Sequence, residues 1–151
     1  MKIISILLFT LLFSITHAQS IDSKNIPQKV KYKFKSVYSK AINVNWTIEN
    51  SLYEASFTFG KKKMSVNLDE DGKIVETETE TQISNLPVEI RESVAKDYPK
   101  YKITEATKIE KSGMVTYETE ITKGKNKMDL YYDDHGTLKK IDKVNPANKW
   151  K

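Results

Sequence analysis

The sequence aligns with itself. At an offset of 60 residues, Asn25-Ile26-Pro27 falls on Asn85-Leu86-Pro87, Val30 on Ile90, Phe34 on Val94, Tyr38 on Tyr98 and Lys40 on Lys100. At an offset of 64, Tyr53-Glu54 falls on Tyr117-Glu118, Gly60-Lys61 on Gly124-Lys125, Lys63-Met64 on Lys127-Met128, Asp69 on Asp133 and Gly72 on Gly136. An internal repeat constrains the fold more than any local motif does, because whatever one copy builds the other must build again. The extra four residues between the blocks fall most simply at Glu110-Lys111-Ser112-Gly113, where a loop would absorb them at little entropic cost.

Within each copy the hydrophobic period changes once. Val30, Phe34, Val37, Tyr38 and Ala41 recur at helical spacing, as do Leu86, Ile90, Val94 and Tyr98. Pro27 and Pro87 fit a first helical turn, with Asn25 and Asn85 as candidate caps. The period then becomes two. Tyr53, Ala55, Phe57 and Phe59 alternate with Glu54, Ser56 and Thr58, and Met64, Val66 and Leu68 with Lys63, Ser65 and Asn67. Val115, Tyr117 and Ile121 against Thr116, Glu118 and Glu120 repeat this, followed by Met128, Leu130 and Tyr132 against Asp129, Tyr131 and Asp133. Gly60, Asp71-Gly72, Gly124 and His135-Gly136 suit tight hairpin turns. With a first strand at Asn43–Glu49 and a last at Lys73–Thr79, the unit is one helix plus four antiparallel strands. The expectation is an α+β fold with two helices on one sheet face and polar side chains on the other. How the two sheets join is left open by the pattern.

The N-terminus carries a different signal. Lys2 precedes an apolar run from Ile3 to Ile15, and Thr16-His17-Ala18 supplies the small residues of a signal-peptidase site, so residues 1–18 read as a cleavable signal peptide with the cut before Gln19. About 13 apolar residues fall short of the roughly 20 that span a bilayer, so stable membrane insertion is not expected. The chain has no cysteine, hence neither disulfides nor the acceptor for a lipid anchor. Periplasmic or secreted residence follows. Cleavage leaves 133 of the 151 residues, enough for one domain without covalent staples. The partition expected is a linker at 19–24, repeat units at 25–80 and 81–143 forming one domain, and a tail at 144–151 containing Pro146 and Trp150.

The processed chain holds 24 basic and 20 acidic side chains, and the excess is local. Between Ser23 and Ile48 stand Lys24, Lys29, Lys31, Lys33, Lys35 and Lys40 with no acid. Such a stripe is either a solvated helix face or a surface for an anionic partner, with Lys29, Lys33 and Lys40 as its contact residues.

Catalytic chemistry finds little purchase. His17 leaves with the signal peptide, and His135 stands alone beside Gly136, so no cysteine–histidine pair or histidine triad can be assembled. Asp69-Glu70-Asp71-Gly72 and Asp133-Asp134-His135-Gly136 lack the spaced oxygens and distal glutamate of a calcium loop and read as hairpin turns, so no metal or other cofactor is expected. Glu54, Glu118 and Glu120 are candidates for a glycosidase carboxylate pair, against the commoner reading of solvated acids on a polar strand face. Trp46 lies in phase with Val44 and Ile48 and reads as core rather than as a sugar platform. Tyr131, on the polar side between Asp129 and Asp133, is either a contact anchor or an ordinary cross-strand partner.

Leu86-Pro87, Tyr98-Pro99, Tyr117-Glu118, Gly124 and Asp133-Asp134-His135-Gly136, echoed by Ile26-Pro27, Trp46, Tyr53-Glu54-Ala55-Ser56-Phe57, Gly60 and Asp69-Glu70-Asp71-Gly72, resemble the PepSY-like family of exported bacterial proteins, also called β-lactamase-inhibitor-like. The resemblance runs from about Asn25 to Asp142. It implies a tandem helix-plus-four-strand fold like that of the β-lactamase-inhibitory protein, periplasmic residence and no known catalytic activity. In that inhibitor the exposed sheet surface grips the target, but this chain lacks its disulfides. The expectation is therefore a non-enzymatic exported binding protein whose partner is an envelope or periplasmic protein. Contact would be made through Glu54, Ser56, Thr58, Glu118, Glu120 and Tyr131. The rival expectation is an envelope structural or sensory module that binds anionic glycan or lipid through the basic first helix. A nucleic-acid partner is not expected.

Overall fold

A computed structural model describes residues 19–143; the signal peptide read at 1–18 and the tail at 144–151 lie outside the described residues. The elements in order are β1 (Gln19–Ser20), α1 (Gln28–Val37), β2 (Ile42–Glu49), β3 (Leu52–Phe59), β4 (Lys62–Leu68) and β5 (Ile74–Glu80), then α2 (Val88–Asp97), β6 (Lys102–Lys111), β7 (Met114–Lys123), β8 (Asn126–Asp133) and β9 (Leu138–Lys143). The strands form one antiparallel sheet in which spatial order equals chain order. The stretch 19–24 is not a plain linker, since β1 pairs with β2 and an Asp22-capped turn over Ser23–Asn25 follows it.

Each helix buries most of the apolar stripe that its sequence shows, except that Val37 is 43% exposed at the end of α1 and Ala41 lies beyond that helix. Val30 and Phe34 of α1 close over Trp46, Ala55, Phe57, Val66 and Leu68, with Phe34 edge-on to Trp46 at 5.1 Å and to Phe57 at 5.0 Å. Ile90 and Val94 of α2 close over Ala106, Ile121, Leu130 and Tyr132. Strand register places both clusters on one face. Phe57 faces Met64, Met64 faces Thr79, Thr79 faces Lys108, Lys108 faces Tyr117 and Tyr117 faces Tyr132, so one row of side chains runs from the first core to the second. Where that row crosses β5 and β6 it is polar, which divides the hydrophobic interior into two clusters.

Two local expectations are corrected. Asn25 and Asn85 do not cap the helices; each ends a short 3-10 turn, and Pro27 and Pro87 are themselves the N-cap residues, with extended ψ near 140° and no side-chain cap bond. Proline's fixed φ sets the chain's entry into the helix, and the Pro27 and Pro87 carbonyls accept from Lys31 and Arg91. The four extra residues at 110–113 are not a loop either. They lengthen a hairpin: β6 and β7 have 10 residues each where β2 and β3 have 8, and Ser112-Gly113 makes the two-residue turn. The lengthened arm lies along β5, with Lys111 opposite Glu76 and Glu110 opposite Thr77, and this ladder joins the first set of strands to the second.

Candidate functional site

Both helices cover one face, and among the described residues no element packs on the other. Because side chains alternate along a strand, that open face is built from the residues out of phase with the core. It falls into rows across the strands. One row holds Thr47, Glu54, Asn67, Glu76 and Lys111; the next holds Asn45, Ser56, Ser65, Glu78, Ile109 and Thr116. A third runs through Glu80, Thr107, Glu118, Tyr131 and Lys140, and a fourth through Glu105, Glu120, Asp129 and Asp142.

The rows are hydrogen-bonded and ion-paired across strands. The Thr47 hydroxyl donates to Glu54 at 3.0 Å, the Asn67 amide to Glu76 at 3.4 Å and the Ser65 hydroxyl to Glu78 at 3.3 Å. Lys111 meets Glu76 at 2.6 Å, and Lys63 stands 3.9 Å from Glu80. The Lys140 ammonium lies 5.2 Å from the Tyr131 ring centre and reaches Asp142 at 2.6 Å. Glu78 is the electrostatic centre. Burial, and then the neighbouring charges of Glu76 and Glu54, push its carboxyl up to about 7, against a smaller opposing effect of the Ser65 hydroxyl. Burial also raises the Tyr131 phenol, helped by the charges of Glu118, Asp129, Asp142 and Glu78, so that hydroxyl remains a neutral donor at any ordinary pH.

The residues expected to make contact are distributed unevenly. Ser56 and Thr58 line a shallow depression of about 270 Å³ with Asn43, Asn45, Phe57, Lys63 and Met64. The β2 bulge shapes it, with Asn43 in the left-handed region at φ 55°. Glu54 lies beside it on β3, whereas Glu118 and Tyr131 face each other across β7 and β8. Four strand spacings separate β3 from β7, about 19 Å. Glu54 and Glu118 therefore cannot form a glycosidase carboxylate pair, which needs roughly 5 to 9 Å.

Glu120 is a correction. It is 2% exposed, accepting from the Thr104 hydroxyl at 2.9 Å and from Lys127 at 3.1 Å, because the β6 bulge between Ile103 and Glu105 brings Thr104 over it. It holds the sheet together rather than meeting a partner. Tyr131 is half-buried rather than projecting. The β5 acids Glu76, Glu78 and Glu80 are not among the contact residues expected from sequence, although their i, i+2 spacing is the signal that marks one strand face. They bridge the two groups of expected residues.

The turn motifs are structural. Asp69 accepts from the backbone N–H of Asp71 and Lys73, and Asp133 from those of His135 and Thr137, which with Lys139 at 3.0 Å lowers the Asp133 carboxyl to about 2. Among the described residues no three acidic, histidine or cysteine side chains converge to hold a metal. On the helical side Lys29 is taken up by Asp71 at 2.7 Å, while Lys33 and Lys40 are exposed. Trp46 is core, 7% exposed.

Comparison with known proteins places this geometry. The profile of a family described as "Putative beta-lactamase-inhibitor-like, PepSY-like" matches residues 14–76 and 51–140. A crystal structure described as a putative periplasmic protein from Bacteroides eggerthii superposes with a TM-score of 0.74 at 16% identity, covering 82% of this chain and 92% of that one. A BLIP-like protein from Bacteroides fragilis gives 0.64 at 23% identity, covering 78% and 86%. These likenesses are of fold. None of the curated proteins matches the chain.

Proposed function

Since the chain belongs to the PepSY-like, β-lactamase-inhibitor-like family, we propose that it is an exported, non-enzymatic binding protein that holds an envelope or periplasmic protein, as an inhibitor would, against its helix-free sheet face. The observation that carries this reading is the sheet itself: both helices and both cores lie on one side, and the other is a largely polar surface across β2 to β9, interrupted by Ile42, Ile109 and Met114, with no covering element among the described residues. A half-solvated antiparallel sheet is stable without such a partner. Here, however, the face carries a central acidic ridge, a polar depression and an aromatic ring in register. With Glu78 about half protonated near neutral pH, the acids of Glu54, Glu76, Glu80 and Glu118 still outnumber Lys63, Lys111 and Lys140, so the matching surface is cationic.

Two further parts belong to the same reading. Residues 1–18 direct export and are removed before Gln19, as signal peptides are. The helix-plus-four-strand order met twice along the chain is a tandem duplication whose extra residues lengthened the β6–β7 hairpin until it paired with β5. The functional test is charge reversal. Glu54→Lys with Glu118→Lys should abolish capture of a partner from envelope extracts while the variant melts within a few degrees of the parent. Undiminished capture would exclude the sheet face.

A further inference from the structure

The outer face of α1 differs from that of α2 in a way the fold does not require. At about 100° per residue, Tyr32 stands opposite Val30 and Phe34, at the summit of the helix, with Lys31 and Lys35 on one flank and Lys29 and Lys33 on the other. Tyr32 is 76% exposed. Lys31, Lys33, Lys35 and Lys40 have no ion pair among the described residues, and no acid lies between Ser23 and Ile48. In α2, which covers the second core in the same manner, the positions 60 residues on carry Glu92 at the summit, with Glu89, Arg91, Ser93 and Ala95 around it. One helix thus does the same packing with mixed charge, so the lysines and tyrosine of the other are not there for packing.

We infer that the α1 face is a second docking surface, separate from the sheet face, and that its occupant is an anionic phospholipid surface. The exposed ring of Tyr32 stands between long cationic side chains, beside a shallow depression of about 510 Å³ lined by Gln28, Lys31, Tyr32, Lys35 and Ser36. With Lys29 held by Asp71, the face turns the three unpaired ammonium groups of Lys31, Lys33 and Lys35 and a phenol toward a layer of phosphates. Tyrosine suits the headgroup zone, apolar in its ring and polar at its tip. Charge complementarity supplies the attraction, and the shallow seat makes it peripheral and reversible.

The test is partition of the exported, processed chain, beginning at Gln19, onto phosphatidylglycerol-containing vesicles and onto phosphatidylcholine vesicles, at low and physiological salt. Expected is binding to the anionic vesicles alone, weakening steeply with salt. Lys31→Gln with Lys35→Gln should lower partition by roughly thirtyfold and flatten the salt dependence. Tyr32→Ser should weaken binding at unchanged salt dependence, and Arg91→Gln with Lys96→Gln on α2 should leave binding as it was. Equal loss from the α2 pair would show attraction by net charge only and would overturn the inference. So would binding to a soluble polyanion such as heparin without binding to vesicles.

Discussion

Single residues decide where this sheet bends and where it titrates. Gly72 and Gly136 sit at φ near 80°, and a Cβ there would stand 2.7 Å from the Lys29 carbonyl and 2.5 Å from the Glu89 Cβ, respectively. The turns press against the first turns of α1 and α2. Gly72→Ala and Gly136→Ala should each cost about 2 to 4 kcal/mol in urea unfolding, against about 1 for Gly60→Ala or Gly124→Ala, whose surroundings are open. Glu78 sets a pH dependence of definite sign. Its folded value, about 7, lies above the ordinary 4.5, so the native state holds a proton that the unfolded chain releases. That contribution is fully present below pH 4.5 and is lost as pH rises through 7. Glu78→Gln should therefore be more stable than the parent by about 2 kcal/mol at pH 8 and little different at pH 4, measured as melting curves across that range. These residues were unequally legible. The glycine turns and the in-phase Trp46 could be read from spacing alone. The burial of Glu120 could not, because it depends on a bulge in a neighbouring strand that brings Thr104 across.

At the level of elements, the alternation of apolar and polar residues showed the strands and which face each would bury, and helical spacing showed both helices. The join did not show. It is made by pairing β5 to a hairpin lengthened by residues that a repeat comparison alone assigns to a loop. Long-range register is a property of two strands that the sequence separates by a helix, so no local pattern encodes it. The ladder's open face is anchored by Lys111 and Glu76, of which the glutamate side chain is only 15% exposed. A double-mutant cycle with Lys111→Gln and Glu76→Gln should return a coupling of about 1 kcal/mol, more than an exposed pair such as Lys29 with Asp71 gives.

Over the described residues the molecule is one sheet carrying two separate hydrophobic clusters, bridged on the helical side by Thr79 and Lys108. Val30→Ala and Ile90→Ala, in different clusters with no shared neighbour, should each destabilise by about 1 to 4 kcal/mol and add within about 0.5 kcal/mol. The division leaves the opposite face continuous, and the functional account rests on that continuity. Its most direct test is photo-crosslinking in the exporting cell. A photoreactive phenylalanine analogue is placed in turn at Ser56, Asn67 and Thr107 on the open face, and at Glu92 and Ala95 on the outer side of α2. Adducts to one protein from all three sheet positions and none from α2 are predicted. Adducts from α2 alone, or none from the sheet positions while the chain is folded and exported, would contradict it.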